Sequence, residues 1–276
     1  MLGTKTLWQF IKQQLITAEI NASIEKIPKP TGSFGYDPWG YHKEGAKIWM
    51  SLFKPLYDHY FRVEAFGLEN IPPQGRVLII ANHSGQLPID GAMIGVALCT
   101  NPHGPRAPRA MIERWIPTLP FIGNALNEAG AVIGDPENCA KMLRNEEAVI
   151  VFPEGVRGSG KPYQKRYQLQ RFGHGFMHLA MQENTPIIPV GVVGCEEAIP
   201  SLGNAKTLAK ILGMPYLPIA MPFPLPTKII LEFGEPLFFT GEIENEQTVE
   251  AHVKTVKQVI QNLIDSGLQR RQGWFK

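Results

Sequence analysis

Seven short apolar runs punctuate the chain from Phe61 onward, at 61–66, 77–81, 109–112, 130–133, 148–152, 187–193 and 228–233. Helical patterns fall between them near 89–99, 137–145 and 172–183. Strand-length apolar runs that alternate with helices leave few architectures open, because each sheet face and each helix stripe must find a partner layer. The expected fold is α/β, a mixed central sheet flanked by helices. A closing helix is expected over 246–270, with Val249, Val253, Val256, Val259, Ile260 and Leu263 on its apolar side. With 24 prolines in 276 residues, the elements should be short and the loops structured.

The first 60 residues have a different texture. Leu7, Ile11, Leu15, Ala18 and Ala22 recur at helical steps and predict a helix over 4–25, with Lys5, Lys12 and Lys26 beside the apolar face. Such a helix suits a membrane interface, and it equally suits docking on its own domain. A Pro/Gly loop over 28–40 separates it from a second helix over 43–60, which Pro55 can kink and which carries Trp49, Phe53, Tyr57 and Tyr60. The expected organisation is an N-terminal helical appendage, 1–60, that can serve as an interfacial anchor, followed by one catalytic-sized domain, 61–276.

Composition removes several classes. Apolar residues are 44% and charged residues 19%, so the chain can bury a core. Lys plus Arg is 27 and Asp plus Glu is 25, a balance that excludes a dedicated nucleic-acid binder. The longest uncharged stretch, 211–227, contains five prolines and cannot span a bilayer as one helix. That stretch, Met214 to Pro224 above all, can line an apolar tunnel, dip into a membrane or simply pack as a core loop. The N-terminus lacks the apolar core of a signal peptide. Cys99, Cys139 and Cys195 are odd in number and far apart, so neither a disulfide framework nor a thiolate zinc site follows, and a reducing compartment is the default. The expected location is cytoplasmic, peripheral on a membrane.

Two segments carry chemistry. In 82–90, NHSGQLPID, a buried strand runs directly into Asn82-His83-Ser84-Gly85, and a helix is expected to start at Pro88 with Asp90 in its first turn. Ligands collect at such strand ends. An Asp on one imidazole nitrogen fixes the tautomer and leaves the other nitrogen as a general base. In 152–161, FPEGVRGSGK, a second buried strand ends in Glu154 and a Gly-rich loop with Arg157 and Lys161, where backbone and guanidinium can approach an anion. Gly155 to Lys161 fits G-x-x-x-x-G-K, but Pro162 stands where a P-loop needs a hydroxyl, so a nucleotide P-loop is excluded. His174 and His178 lie four apart, but Gly175 replaces the Glu of H-E-x-x-H, and surface histidines are expected there. Ser84 and Ser159 are not in a nucleophile elbow. The basic run Lys161, Lys165, Arg166, Arg171 is a solvated face or a contact for phosphates or anionic headgroups.

Taken in order, NHSG, FPEGVRG and the Pro-Val strand of 185–194 resemble the phospholipid/glycerol acyltransferase family, which includes the lysophosphatidic acid acyltransferases. The resemblance spans roughly 61–240. It implies an O-acyltransferase that moves a fatty acyl group from an acyl thioester, on coenzyme A or acyl carrier protein, to a hydroxyl of a lysophospholipid or other glycerolipid. His83 is the implied base and Asp90 its partner. Glu154, Gly155, Arg157 and Lys161 are the implied acceptor or phosphate contacts. No metal, resident cofactor or covalent intermediate is implied. The expected partners are the thioester donor, the lipid acceptor and a membrane surface. Two departures from the family pattern stand out. The family places four residues between His and Asp, whereas His83 and Asp90 have six between them; this L-P-x-D version is similar to a branch nearer the diacylglycerol acyltransferase-like members. The second block, which usually brings an Arg to the acceptor phosphate, reads Gly134-Asp135-Pro136 here. These departures keep two alternatives open, a non-catalytic lipid binder on the same fold and an acyl-thioester hydrolase.

Overall fold

The structure, a computed structural model, describes residues 15–28, 32–84, 87–114, 122–204, 218–221 and 223–276. Residues 4–14 of the first expected helix and 211–217 of the uncharged stretch lie outside the described residues, as do Gly85 and Gln86.

Among the described residues two helices precede the sheet, α1 (Ala18–Glu25) and α2 (Lys43–Pro55). Pro55 has no N–H for the carbonyl one turn back, and the expected kink takes the form of a π turn over Leu56–Tyr60. The chain then runs β1 (Glu64–Phe66), β2 (Val77–Ala81), α3 (Ile89–Cys99), β3 (Pro108–Ile112), α4 (Ile122–Glu128), β4 (Val132–Ile133), α5 (Pro136–Arg144), β5 (Ala148–Val151), α6 (Val156–Ser159), α7 (Gly175–Gln182), β6 (Ile187–Val193), α8 (Cys195–Ala198), β7 (Ser201–Asn204), β8 (Pro218–Ala220), β9 (Ile230–Phe233) and α9 (Glu246–Arg270).

All seven expected strands are present; β1, β4 and β9 start late, the first two for backbone reasons. Arg62 at φ 45° delays β1, and Gly130 at φ 104° delays β4. The helix expected from Pro88 starts one residue later, with Pro88 as its cap. Asp135 caps α5 by accepting from the amides of Glu137 (3.0 Å) and Asn138 (3.4 Å), with Pro136 at the first helical position. The short helix α4 and the antiparallel pair β7–β8 had no sequence signal.

The seven strands order as β1-β9-β6-β2-β5-β3-β4. The β6–β9 pair is antiparallel and every other pair is parallel, so β1 and β9 run against the other five. Alternation along the strands divides the core in two. Val77, Ile79 and Ala81 join Ile188, Val190 and Val192 under α3. Leu78 and Ile80 join Ile187 and Val193 under α5, α7 and α9. Helix α3 is apolar on almost every side because it is covered twice. Its Met93, Ile94, Ala97 and Leu98 face the sheet, while Val96 and Cys99 pack under Ile20, Ile24, Ala46 and Met50 of α1 and α2. All three cysteines are buried and free.

At the C-terminal end of β2 the buried side chain of Asn82 extends the ladder. Its Nδ2 donates to the Val192 carbonyl at 3.0 Å, and its Oδ1 accepts from the Val192 amide at 2.7 Å. Replacing Asn82 by Ala leaves that donor and acceptor buried and unmatched, and should lower the free energy of unfolding by about 2 kcal/mol, measured by urea denaturation.

Candidate active site

Strands β2, β5 and β6 are parallel neighbours, with Ile80 opposite both Val151 and Pro189. The segments that leave their C-terminal ends therefore emerge side by side. Asn82-His83-Ser84 leaves β2, and Phe152-Pro153-Glu154 leaves β5. The six-residue spacing between His83 and Asp90 is bridged because α3 starts back toward the strand end. Asp90 sits in the first turn of α3 and is fully buried. Its Oδ2 lies 2.7 Å from His83 Nδ1 and accepts from the Ser84 amide at 2.8 Å. Its Oδ1 accepts from the Gly91 amide at 2.7 Å.

This network assigns the His83 proton to Nδ1, donated to Asp90, and leaves Nε2 as the lone-pair nitrogen. Burial of the ring disfavours its charge. The adjacent Asp90 carboxylate, with Glu154 and Glu113 farther off, outweighs that burial and holds the imidazole above its ordinary 6.5. Phe152 stacks on the ring, with centroids 4.6 Å apart and planes at 27°.

Glu154 is buried as well, and both its oxygens hold backbone. Oε1 accepts from the His83 amide at 3.0 Å, and Oε2 accepts from the Gln170 amide at 2.7 Å. The Gly-rich loop needs its glycines. Gly155 takes φ 52°, in the left-handed region. A Cβ on Gly158 would come within 2.8 Å of the Cβ atoms of both His83 and Glu154. Arg157 is exposed on α6. Lys161, expected to face an anion, is instead buried, with Nζ 2.5 Å from Glu196 Oε1. The structure thus brings His83, Asp90, Glu154 and Gly155 together and turns the Lys161 charge inward.

Two cavities meet at this point. One, of about 320 Å³, reaches His83 and is walled by Trp49, Phe53, Leu87, Ile89 and Met111. The other, of about 670 Å³, holds Arg114, Asp135, Cys139 and Phe176 and shares Met111, Glu113 and Phe152 with the first. Sequence reasoning passed over Phe152 and Glu113, although each directly follows a strand end. Trp49 and Phe53, which the sequence shows only as aromatic residues of the second helix, wall the cavity at His83. His174 and His178 both approach Glu246 of α9, at 3.5 and 3.7 Å.

The family described as Acyltransferase matches residues 62–193. The chain is 38% identical over 218 residues to an uncharacterized protein of Mycobacterium tuberculosis, a match that covers 75% of this chain and 61% of that protein. The chain thus spans about three fifths of the length of these mycobacterial relatives. Over 239 residues it is 30% identical to the human protein named DGAT1/2-independent enzyme synthesizing storage lipids, covering 84% of this chain and 69% of that one. Its fold is similar to the crystal structure of the 1-acyl-sn-glycerophosphate acyltransferase PlsC from Thermotoga maritima, with a TM-score of 0.57 and 18% identity over 84% of this chain and 83% of that chain. The likeness over most of the human relative's length shows that the chain belongs to the acyltransferase family.

Proposed function

We propose that this protein is an O-acyltransferase that uses His83 as its base to esterify a lipid hydroxyl from an acyl thioester. The observation that carries the reading is the 2.7 Å contact of His83 Nδ1 with buried Asp90, in a ring that lines an apolar cavity. His83 Nε2 takes the proton of the acceptor hydroxyl as its oxygen bonds to the thioester carbonyl carbon. The tetrahedral oxyanion then expels the thiolate, which recovers the proton from Nε2. Asp90 holds the ring orientation and opposes the imidazolium charge. The amides of Gly155, Arg157 and Gly158 already close turns. The Val156 amide, at the start of α6, is a candidate donor for the oxyanion among the described residues.

The 320 Å³ cavity suits the acyl chain, since its wall is aliphatic and aromatic. Glu154 acts through the backbone it holds and not on substrate. Arg157 is the anion contact, because Lys161 is paired with Glu196. The acceptor end favours an uncharged glycerolipid over a phosphorylated one. Glu113 and Asp135 line the larger cavity, and Arg114 is 3.3 Å from Asp135. The printed name of the human relative, which refers to storage lipids, supports the same direction.

Among the described residues, no helix is long and apolar enough to cross a membrane. Leu52 is exposed on the helix that supplies Trp49 and Phe53, Leu56 at the start of the π turn that follows it, and Leu87 at the cavity itself. These residues suit a face laid on a lipid surface.

Three outcomes are expected. Thiol release from palmitoyl-coenzyme A should depend on a lipid acceptor and should fall about 100- to 10,000-fold in His83→Ala, with circular dichroism unchanged. Release that needs no acceptor would identify a hydrolase, and a wild-type rate in the variant would sink the mechanism. The acid limb of kcat/KM against pH should lie above 6.5, since the base must be neutral and its charged form is favoured. Asp90→Asn should move that limb to lower pH and reduce the plateau; an unmoved limb would remove Asp90 from the role of partner. Leu52→Asp with Leu87→Asp should weaken co-sedimentation with liposomes, and unchanged binding would place the membrane contact elsewhere.

A further inference from the structure

A further cavity, distinct from the two beside His83, lies past the C-terminal end of β6. Its volume is about 440 Å³, within the range of small-molecule sites. Gln164, Arg166 and Gln168 form one wall, Arg271 and Trp274 the other, and Glu197 lies at the base. Glu197 stands on α8, which continues β6 past its C-terminal end, and β6 is the immediate neighbour of β2. One strand spacing of about 4.8 Å therefore separates the two strand ends. Between the two regions, Gly158, which abuts His83, and Lys161, Tyr163 and Arg166 surround one small gap of about 10 Å³.

The charges in this cavity are unequal. The Glu197 carboxylate is fully engaged: Tyr167 Oη donates to its Oε2 at 2.5 Å, and Arg271 Nη1 donates to its Oε1 at 3.0 Å. Arg271 is buried, and its Nε–H finds no acceptor among the described residues. Arg166 is exposed and, among the described residues, lies over the Tyr163 ring alone, 4.7 Å from guanidinium carbon to centroid. The cavity thus carries one cation more than it needs.

The aromatic element is held in place before any ligand arrives. The Trp274 carbonyl accepts from Arg271 Nη2 at 3.0 Å and from the Lys228 amide at 2.7 Å, and the edge of Tyr163 meets the indole at 5.8 Å. Trp274 is 41% exposed despite these restraints. A fixed indole plane, two side-chain amides and an unmatched guanidinium suit a planar heterocycle that carries phosphate: the ring stacks, the amides meet its polar edge, and the phosphate takes the fork of Arg166.

We propose that this cavity binds a phosphorylated nucleoside. Two sources share that chemistry, the nucleotide end of a coenzyme thioester and a free nucleotide. The adjacency of the β2 and β6 strand ends favours the coenzyme, and only this choice of source rests on the acyltransferase reading.

The test is isothermal titration of the full chain with adenosine 3′,5′-bisphosphate, adenosine and inorganic phosphate. The bisphosphate should bind one to one, and each of the other two at least about tenfold more weakly. Arg166→Ala and Trp274→Ala should each weaken it about tenfold, the loss of one charge-assisted contact or one stacked ring. His83→Ala should bind as wild type, which separates this site from the reacting centre. No bisphosphate binding, wild-type binding in both variants, or phosphate alone binding as tightly would overturn the proposal. Arg166 and Trp274 lie at the rim, and a matched thermal melt guards against misfolding as the cause of a loss. Bisphosphate that competes with palmitoyl-coenzyme A in the thiol-release assay identifies the donor as the source. Binding that leaves that KM unchanged identifies a free nucleotide.

Discussion

Two buried carboxylates fix the shape of the segment that leaves β2. Asp90 takes the ring of His83 and the amide of Ser84, and Glu154 takes the amide of His83 itself. The histidine is thus held at its backbone from β5 and at its ring from α3. Neither carboxylate has an exposed surface to fall back on, since burial without such partners would cost several kcal/mol. The parallel pairing of β2 with β5, the start of α3 and the closeness of Gly158 all serve this arrangement. Loosening any one of them frees the ring before it exposes the core.

A second set of buried charges secures the loop from the far side. Lys161 pairs with Glu196, the Tyr167 amide donates to the same residue at 2.6 Å, and Arg271 joins Tyr167 and Glu197. Through these contacts the loop after β5 is tied to α8 and to the end of α9. The pairs are costly to desolvate, so their value lies in geometry more than in net stability. Removing one partner strands the other, and the loop that carries Gly158 is the element most exposed to that loss.

Much of this was legible in the chain. The strand runs were bounded to within a few residues because a fully buried strand writes a continuous apolar word, as VLIIA and IIPVGVV do. The misplaced starts, at Arg62 and Gly130, arise from backbone torsions that no hydropathy pattern records. His83 and Asp90 were readable from their places at a strand end and a helix start. Lys161 was not: a lysine in a glycine-rich loop looks solvated until Glu196, 35 positions on, is found beside it. The same limit hid Glu113 and the cavity wall of Trp49 and Phe53, which depend on how α2 crosses α3.

The division of the core by the sheet has a thermodynamic consequence. Ile79 and Ile80 are bonded neighbours in β2, yet they belong to different clusters, one under α3 and the other under α9. Truncations at these two positions relax into separate volumes and so should add nearly as independent events, whereas Ile79 and Leu98, in one cluster, share neighbours and need not. In this fold, proximity along the chain and coupling in free energy are different distances, and a drifting sequence can repack one side of the sheet while the other keeps its original fit.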